Sequence, residues 1–300
     1  MGLLFEVKRG AVHDGPGWRT TAFFKGCPLS CPWCHNPEGI SSEKEIWFVA
    51  SRCVGCQNCV SVCPRGVPAP AAGQLGPAYG SACTVCGRCV DGCPVGSRAI
   101  VGMERTAEQL VQELARDRAF FARSGGGVTI SGGEPLSQLD FLLEVLSACR
   151  KAGLNTALDT SGYAPRRDFL QAAALCDLVL FDLKHLDESR HEETTGVPLT
   201  PILENLHALD EEGANLWIRY PLIPGFNDDQ STLSRLADLV LRLRSKPLVC
   251  LLPYHRAGQE KYARLGRSDP MGDTEAPGET SVENVATRLA NSGLMVRIGG

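Results

Sequence analysis

Cys27-Pro28-Leu29-Ser30-Cys31-Pro32-Trp33-Cys34 places three thiols within eight residues. A gap of three residues and then of two makes a tight loop of soft ligands, the donor set of an iron–sulfur cluster or of zinc. A closed structural zinc site takes four protein ligands, and no fourth cysteine lies nearby. His35 follows at once, but its adjacency to Cys34 makes it an awkward chelating partner. Three cysteines therefore point to a 4Fe–4S cluster with one iron left open. The alternative is a zinc loop completed by His35 or by a distant residue. The segment that delivers the loop, Thr20 to Lys25, is rich in Thr and Phe and reads as a strand. Before it, Leu3 to Lys8 can form a short strand, and Asp14-Gly15-Pro16-Gly17 is a turn.

From about Ser51 to Arg98 the composition changes. Cys53, Cys56, Cys59 and Cys63-Pro64 are spaced two, two and three residues apart, and Cys83, Cys86, Cys89 and Cys93-Pro94 repeat the spacing. This is the bacterial ferredoxin run written twice, in which the fourth cysteine of each run ligates the other cluster. Cys53, Cys56, Cys59 and Cys93 are expected on one 4Fe–4S cluster, and Cys83, Cys86, Cys89 and Cys63 on the second. The connector from Arg65 to Ala82 is rich in Pro, Ala and Gly and offers little apolar material. The clusters themselves must hold this module together.

After the insert, helical and strand patterns alternate. Thr106-Ala-Glu-Gln109 is a capping box, with Ala107, Leu110, Val111 and Leu114 on one face. Ser137 is expected to cap the next helix, with Gly153 as its stop. Asp168 to Cys176 reads as helical, Thr200-Pro201 opens a helix that Gly213 ends, Leu233 to Val240 marks another, and Ser281 to Ala290 the last. Strands are expected at Val128 to Ile130, Asn155 to Leu158, Leu178 to Phe181, Leu216 to Tyr220 and Leu248 to Leu252, with Leu294 to Ile298 following the last helix. Arg256 to Pro277 shows little pattern. Counting Thr20 to Lys25, six strands alternate with helices. The alternation argues for parallel βα units, either a partial, open (β/α)6 barrel or a doubly wound sheet.

The chain is 43% hydrophobic and 21% charged, with a net charge of −4. That balance gives no reason to expect a nucleic-acid partner. No apolar run approaches a membrane span, and the N-terminal residues do not read as a signal peptide, so a cytoplasmic protein is expected. Of the fourteen cysteines, eleven fall in the regular spacings above, which favours metal binding over disulfides. Cys149, Cys176 and Cys250 lie in apolar stretches and read as buried small hydrophobes.

The three-cysteine loop, with an aromatic residue before its last cysteine, resembles the signature of the radical S-adenosylmethionine (SAM) enzymes. His13-Asp-Gly-Pro-Gly-Trp-Arg-Thr-Thr21 upstream and Cys34-His-Asn-Pro-Glu38 downstream resemble the activating enzymes of glycyl radical enzymes, over nearly the whole chain. The resemblance implies a partial barrel at residues 1–50 and 99–300 with a ferredoxin-like domain inserted at 51–98. It implies reductive cleavage of SAM to a 5′-deoxyadenosyl radical that removes hydrogen from a glycine of a partner enzyme. SAM, three 4Fe–4S clusters and a monovalent cation are the implied cofactors. A flavodoxin or ferredoxin-type protein is the implied reductant, and a monomer is expected. A radical SAM enzyme acting on a small molecule or another peptide, and a non-catalytic electron carrier, are the competing classes.

In parallel βα folds functional groups gather at the C-terminal ends of strands. Those ends carry Cys27, Cys31 and Cys34; Gly132-Gly133-Glu134-Pro135; Asp159 and Thr160; Asp182 and Lys184; Arg219; and His255. Each has an ordinary reading as a tight turn, a capped turn, a solvated pair or a surface group. By the resemblance, the Gly-Gly-Glu-Pro segment binds the SAM amino group, and Asp159, Thr160, Asp182 and Lys184 hold its carboxylate and the cation. Trp33, Arg219 and His255 border the SAM pocket, while Asp14 and Arg19 contact the partner polypeptide. Ser161 stands where some relatives have Asn.

Overall fold

In the computed structural model, which describes residues 1–66 and 82–300, eleven strands form. They are β1 (Gly2–Ala11), β2 (Arg19–Phe24), β3 (Glu45–Phe48), β4 (Arg98–Val101), β5 (Met103–Arg105), β6 (Gly127–Gly132), β7 (Thr156–Thr160), β8 (Leu178–Asp182), β9 (Leu216–Leu222), β10 (Leu248–Pro253) and β11 (Val296–Ile298). Most of the Arg65–Ala82 connector lies outside the described residues.

Nine strands make one sheet in the order β11-β10-β9-β8-β7-β6-β2-β1-β5. β2 pairs with β6, with β3, β4 and β5 between them in the chain; from β6 to β11 chain neighbours are sheet neighbours, and every pair from β2 to β11 is parallel. A doubly wound sheet reverses its strand order at a switch point. The parallel part of this sheet, β2 to β11, never reverses, so it is the singly wound, partial barrel. β11 extends the six expected strands, while β1 and β5 add antiparallel strands beyond β2.

The strands read as near-continuous apolar runs because both faces are buried. One face carries Phe24, Ile130, Leu158, Phe181, Ile218 and Leu251, which join the main core with the helices. Helix Leu139–Lys151 supplies Phe141, Leu142, Val145 and Leu146 to that core, each at or below 4% exposure. Such burial contributes about 1.5–3 kcal/mol per side chain. The opposite face lines the lumen. It is apolar low down, where Ala157, Leu180 and Trp217 cluster, and charged at the strands' C-terminal ends.

Local signals explain most helix boundaries. The Thr106 capping box is present with both of its hydrogen bonds. Helix Thr200–Glu211 carries its proline in the first turn, and helix Gln230–Arg242 is capped by the Asp229 carboxylate. Ser137 is not the expected cap. The Glu134 side chain caps a 3₁₀ turn, Pro135–Gln138, that precedes the helix. Two helices lack a strong pattern: Glu188–Thr195, mostly polar, and Gln259–Arg264 inside the stretch read as patternless. The insert rises on an antiparallel stem of β3 and β4, and carries two single-turn helices, Asn58–Ser61 and Arg88–Asp91. Among the described residues no helix is long and apolar enough to cross a membrane.

The turn between β1 and β2 folds against the lumen. The Thr21 hydroxyl donates to the Asp14 carboxylate at 2.8 Å, and the Thr129 hydroxyl donates to the Asp14 carbonyl at 2.7 Å. Arg19 corrects the sequence expectation. It has no exposed surface, so it offers nothing to a partner in this conformation. Its guanidinium donates to the Thr129 hydroxyl, the Val128 and Pro16 carbonyls and the Asn155 side chain. Burial lowers its pKa to about 10, still charged at neutral pH. Replacing it strands those buried acceptors, each at a cost of about 1–3 kcal/mol. Arg19→Ala should therefore lower unfolding stability by roughly 3 kcal/mol in a denaturant titration. An unchanged midpoint together with weakened partner binding would restore the surface role.

Candidate active site

The cysteine loop and the Gly-Gly-Glu-Pro segment are tied by backbone. Gly133 N–H donates to the Phe24 carbonyl at 2.8 Å and Glu134 N–H to the Gly26 carbonyl at 2.7 Å. Gly26 and Cys27 N–H donate onward to the Gly39 and Ile40 carbonyls. A Cβ on Gly133 would lie 2.3 Å from the Gly39 oxygen and 2.4 Å from the Gly26 oxygen, so only glycine fits. Leu29, Cys31 and Trp33 are buried in the main core. Trp33 packs against Phe226 at 4.6 Å between ring centroids.

These elements border a cavity of about 220 Å³ at the C-terminal ends of the strands. Of the expected site residues, the cavity is lined by Cys27, Cys31, Cys34, Trp33, Gly132, Gly133, Asp159, Thr160, Asp182, Lys184, Arg219 and Asp14. Glu134 and His255 do not line it. Glu134 is turned away, 1% exposed, and its carboxylate accepts from the Thr160 hydroxyl at 2.7 Å and from the Ser161 amide at 2.8 Å and hydroxyl at 2.5 Å. It clamps the end of β7 to the end of β6. Burial raises its pKa, against the pull of those donors. His255 is exposed and reaches the site through His35, whose ring it stacks at 3.8 Å. His35 lines the cavity, and burial, with His255 adding, pushes its pKa down to about 4.

The lumen charges form one group. Arg219 Nε lies 3.5 Å from an oxygen of Asp159 and 3.5 Å from one of Asp182, and Nη1 lies 4.0 Å from Asp14. Lys184 Nζ donates to the other Asp182 oxygen at 2.9 Å, and the Ser131 hydroxyl to the other Asp159 oxygen at 2.8 Å. Burial raises Asp159, with Asp182 and Asp14 adding to it and Arg219 opposing. Burial works against the charge on Lys184, but Asp182 and the neighbouring cysteines outweigh it and raise its pKa. Asp159 Oδ1, Asp182 Oδ1 and Arg219 Nε are buried without a hydrogen bond. Among the described residues their only partners are the 3.5 Å ion pairs among themselves, which leaves hydrogen-bonding capacity for a ligand.

Burial raises the thiols of Cys27, Cys31 and Cys34, Cys31 to about 11. Three cysteines, a lysine, an arginine and two carboxylates lining one cavity have the chemistry to hold a cluster beside a zwitterionic ligand, although among the described residues no three ligating side chains already stand in metal-binding geometry. In the insert, Cys63, Cys83, Cys86 and Cys89 border one small void together with Cys59, a cysteine expected on the other cluster, so the void does not by itself sort the two ligand sets. Sequence reasoning missed Lys261, in the stretch read as patternless. Its ammonium binds Glu38 at 2.6 Å and Asn36 at 2.7 Å, bracing the segment after Cys34. Asn227 was missed too; its amide joins the Lys184 and Pro221 carbonyls. Neither had a local signal.

The family model of the radical SAM superfamily matches residues 80–237, a 4Fe-4S dicluster domain matches 52–98, and a 4Fe-4S single cluster domain matches 13–51. The chain is 42% identical to the choline trimethylamine-lyase activating enzyme of Oleidesulfovibrio alaskensis, over 94% of this chain and 93% of that protein. It is 40% identical to the trans-4-hydroxy-L-proline dehydratase activating enzyme of Clostridioides difficile, over 99% of both. It is 41% identical to the benzylsuccinate synthase activating enzyme of Thauera aromatica, over 99% of this chain and 92% of that one. A crystal structure of a domain of the pyruvate-formate lyase-activating enzyme from Bacteroides vulgatus superposes with a TM-score of 0.50 at 32% identity, covering 59% of this chain and all of that domain.

The barrel, its cysteine loop and these matches define a radical SAM enzyme. Within that superfamily, the chain belongs to the activating enzymes of glycyl radical enzymes. It cleaves SAM reductively and uses the resulting 5′-deoxyadenosyl radical to remove hydrogen from a glycine of a partner enzyme.

Because Glu134 positions β7 rather than touching a ligand, Glu134→Gln should act indirectly. The amide nitrogen cannot accept from both Ser161 donors. SAM affinity, measured by calorimetry, should weaken by about tenfold, the equivalent of one lost hydrogen bond to a charged group. Unchanged affinity would mean that the clamp does not set the β7 end.

Proposed function

We propose that the barrel at 1–50 and 99–300 holds one 4Fe–4S cluster on Cys27, Cys31 and Cys34, and that the ferredoxin-like domain at 51–98 holds two more and carries electrons to it. The observation that carries this reading is the cavity itself: three cysteine thiols face Asp159, Asp182, Lys184 and Arg219 across one space. When bound, the cluster supplies one electron to the sulfonium of SAM. The chain's own residues position and shield. Gly132 and Gly133 offer backbone to the amino group of SAM. Lys184 and Arg219 face its carboxylate, and Trp33 and His35 wall the site against water. Asp159 and Asp182, each with an orphaned buried oxygen, suit a monovalent cation next to that carboxylate. Asp14, beside Arg219 and 17% exposed at its side chain, remains the candidate for contact with the partner's glycine segment. A flavodoxin or ferredoxin-type protein is the proposed reductant, and the protein acts as a monomer in the cytoplasm.

Anaerobic reconstitution should load about twelve irons per chain, four for each of three clusters. Replacing Cys27, Cys31 and Cys34 together should bring this to about eight, with one EPR component lost. Full iron retention in that variant would refute the loop as a cluster site. If Asp159 and Asp182 hold a cation, exchanging potassium for tetramethylammonium should weaken SAM binding by about tenfold, roughly one lost ion pair. Asp182→Asn should bind SAM equally in both salts. A wild-type affinity indifferent to the cation would refute that site.

A further inference from the structure

We infer that the ferredoxin-type site of Cys63, Cys83, Cys86 and Cys89, not the other one, is the site turned toward the barrel, and that Val85 is the positioning residue that seals it there. This rests on reading the insert as an electron carrier. The two Cys-x-x-Cys loops have matching backbones with different residues. Gly55 and Gln57 in the first loop have φ of 71° and 58°; Val85 and Gly87 in the second have 50° and 81°. Both loops therefore need left-handed conformations at the same two places. Glycine meets the first need in one loop, whereas the other places a β-branched valine there, among the least tolerant residues for that conformation.

The surroundings account for the exchange. Thr84 and Val85 line the small void bounded by Cys63, Cys83, Cys86 and Cys89, which Cys59 of the other set also borders. They also line a cleft of about 520 Å³ whose other wall is barrel: Leu3, Lys44, Glu104 and Gln138. Val85 thus stands as the partition between the cysteines and the barrel-side cleft. Its own amide donates to the Cys83 sulfur at 3.4 Å. Gly87 packs on the stem, where a Cβ would lie 3.4 Å from Ile100. The two loops share one exposure pattern at Val54/Thr84, Gly55/Val85 and Cys56/Cys86, and differ where Gln57 is exposed and Gly87 is buried; no residue of the first loop lines the barrel-side cleft. An apolar wall and an amide at a ligand sulfur are two of the levers that set the potential of such a site. The transfer served is one electron from the insert to the loop of Cys27, Cys31 and Cys34, supplied by dithionite or a flavodoxin-type donor; no bond forms or breaks.

The test uses the reconstituted protein with Val85→Gly and, as a control, Val54→Gly. Glycine suits the left-handed φ, so Val85→Gly should keep its iron and its melting temperature. EPR-monitored redox titration should nevertheless move one ferredoxin component to higher potential, because water then reaches its barrel-facing side as well as the already exposed Cys86. In freeze-quench EPR with flavodoxin as donor, reduction of the cysteine-loop site should slow by about tenfold. Val54→Gly should change neither quantity. Equal effects of the two variants, or none from Val85→Gly, overturn the assignment. Cys56→Ala and Cys86→Ala separate this from failure of the electron-carrier reading: if both leave the freeze-quench rate unchanged, that reading fails and takes the inference with it. If Cys86→Ala slows the rate and Val85→Gly does not, only the inference fails.

Discussion

The site depends on a close crossing of backbone. Gly133 lies against the carbonyls of Gly26 and Gly39, nearer than any side chain allows, and Gly133 and Glu134 donate to Phe24 and Gly26. The cysteine loop therefore cannot move independently of the end of β6. Glu134 continues the linkage by reaching under the cavity to Thr160 and Ser161 on β7. Three strand ends are locked before any ligand arrives. A radical reaction requires this, because positioning must come from rigid elements rather than from a loop that adapts.

The second constraint is charge. Asp14, Asp159 and Asp182 against Arg219 and Lys184 leave one excess negative charge in a buried space. Burying unbalanced charge opposes folding unless a ligand completes it. In the structure Arg219 takes part of that load. It stands 3.5 Å from both carboxylates without a hydrogen bond to either, a geometry of charge balance rather than of specific pairing.

Sequence order made the barrel legible because each strand end carries a polar group after an apolar run, and some of the helices between announce their start, by the Thr106 capping box, the Thr200-Pro201 opening and the Asp229 cap. The cysteines were legible because ligand spacing is local. What was not legible depended on partners far along the chain. Arg19 reads as a surface residue beside a Gly-Pro turn, yet Thr129 and Asn155, more than a hundred residues later, bury it. Glu134 sits in a ligand-binding motif, but Thr160 and Ser161 claim its oxygens. Helix Glu188–Thr195 shows almost no apolar stripe because it buries only His191 and Thr195, which bond to each other and to Val197. β3 and β4 are half-exposed four-residue strands separated by the whole insert, so neither alternation nor a turn signal announces their pairing.

That pairing explains how an insert with little core of its own can be held in one place. The Glu45 carboxylate, at the base of the stem, accepts from Lys25 at 2.9 Å and from Arg267. Lys25 is fully buried and immediately precedes Gly26 and Cys27, while Arg267 also binds the Pro37 carbonyl just after the cysteine loop. One carboxylate thus joins the insert's stem, the residue that leads into the cysteine loop and the C-terminal segment that braces its exit. Burial lowers the Lys25 pKa, and Glu45 is the group that opposes this most. Removing Glu45 would leave a buried cation beside the cysteine loop as well as a loose stem. The same ion pair that stabilises the barrel therefore fixes the insert's bearing on it. This is why a seal as small as one valine can sit between the two.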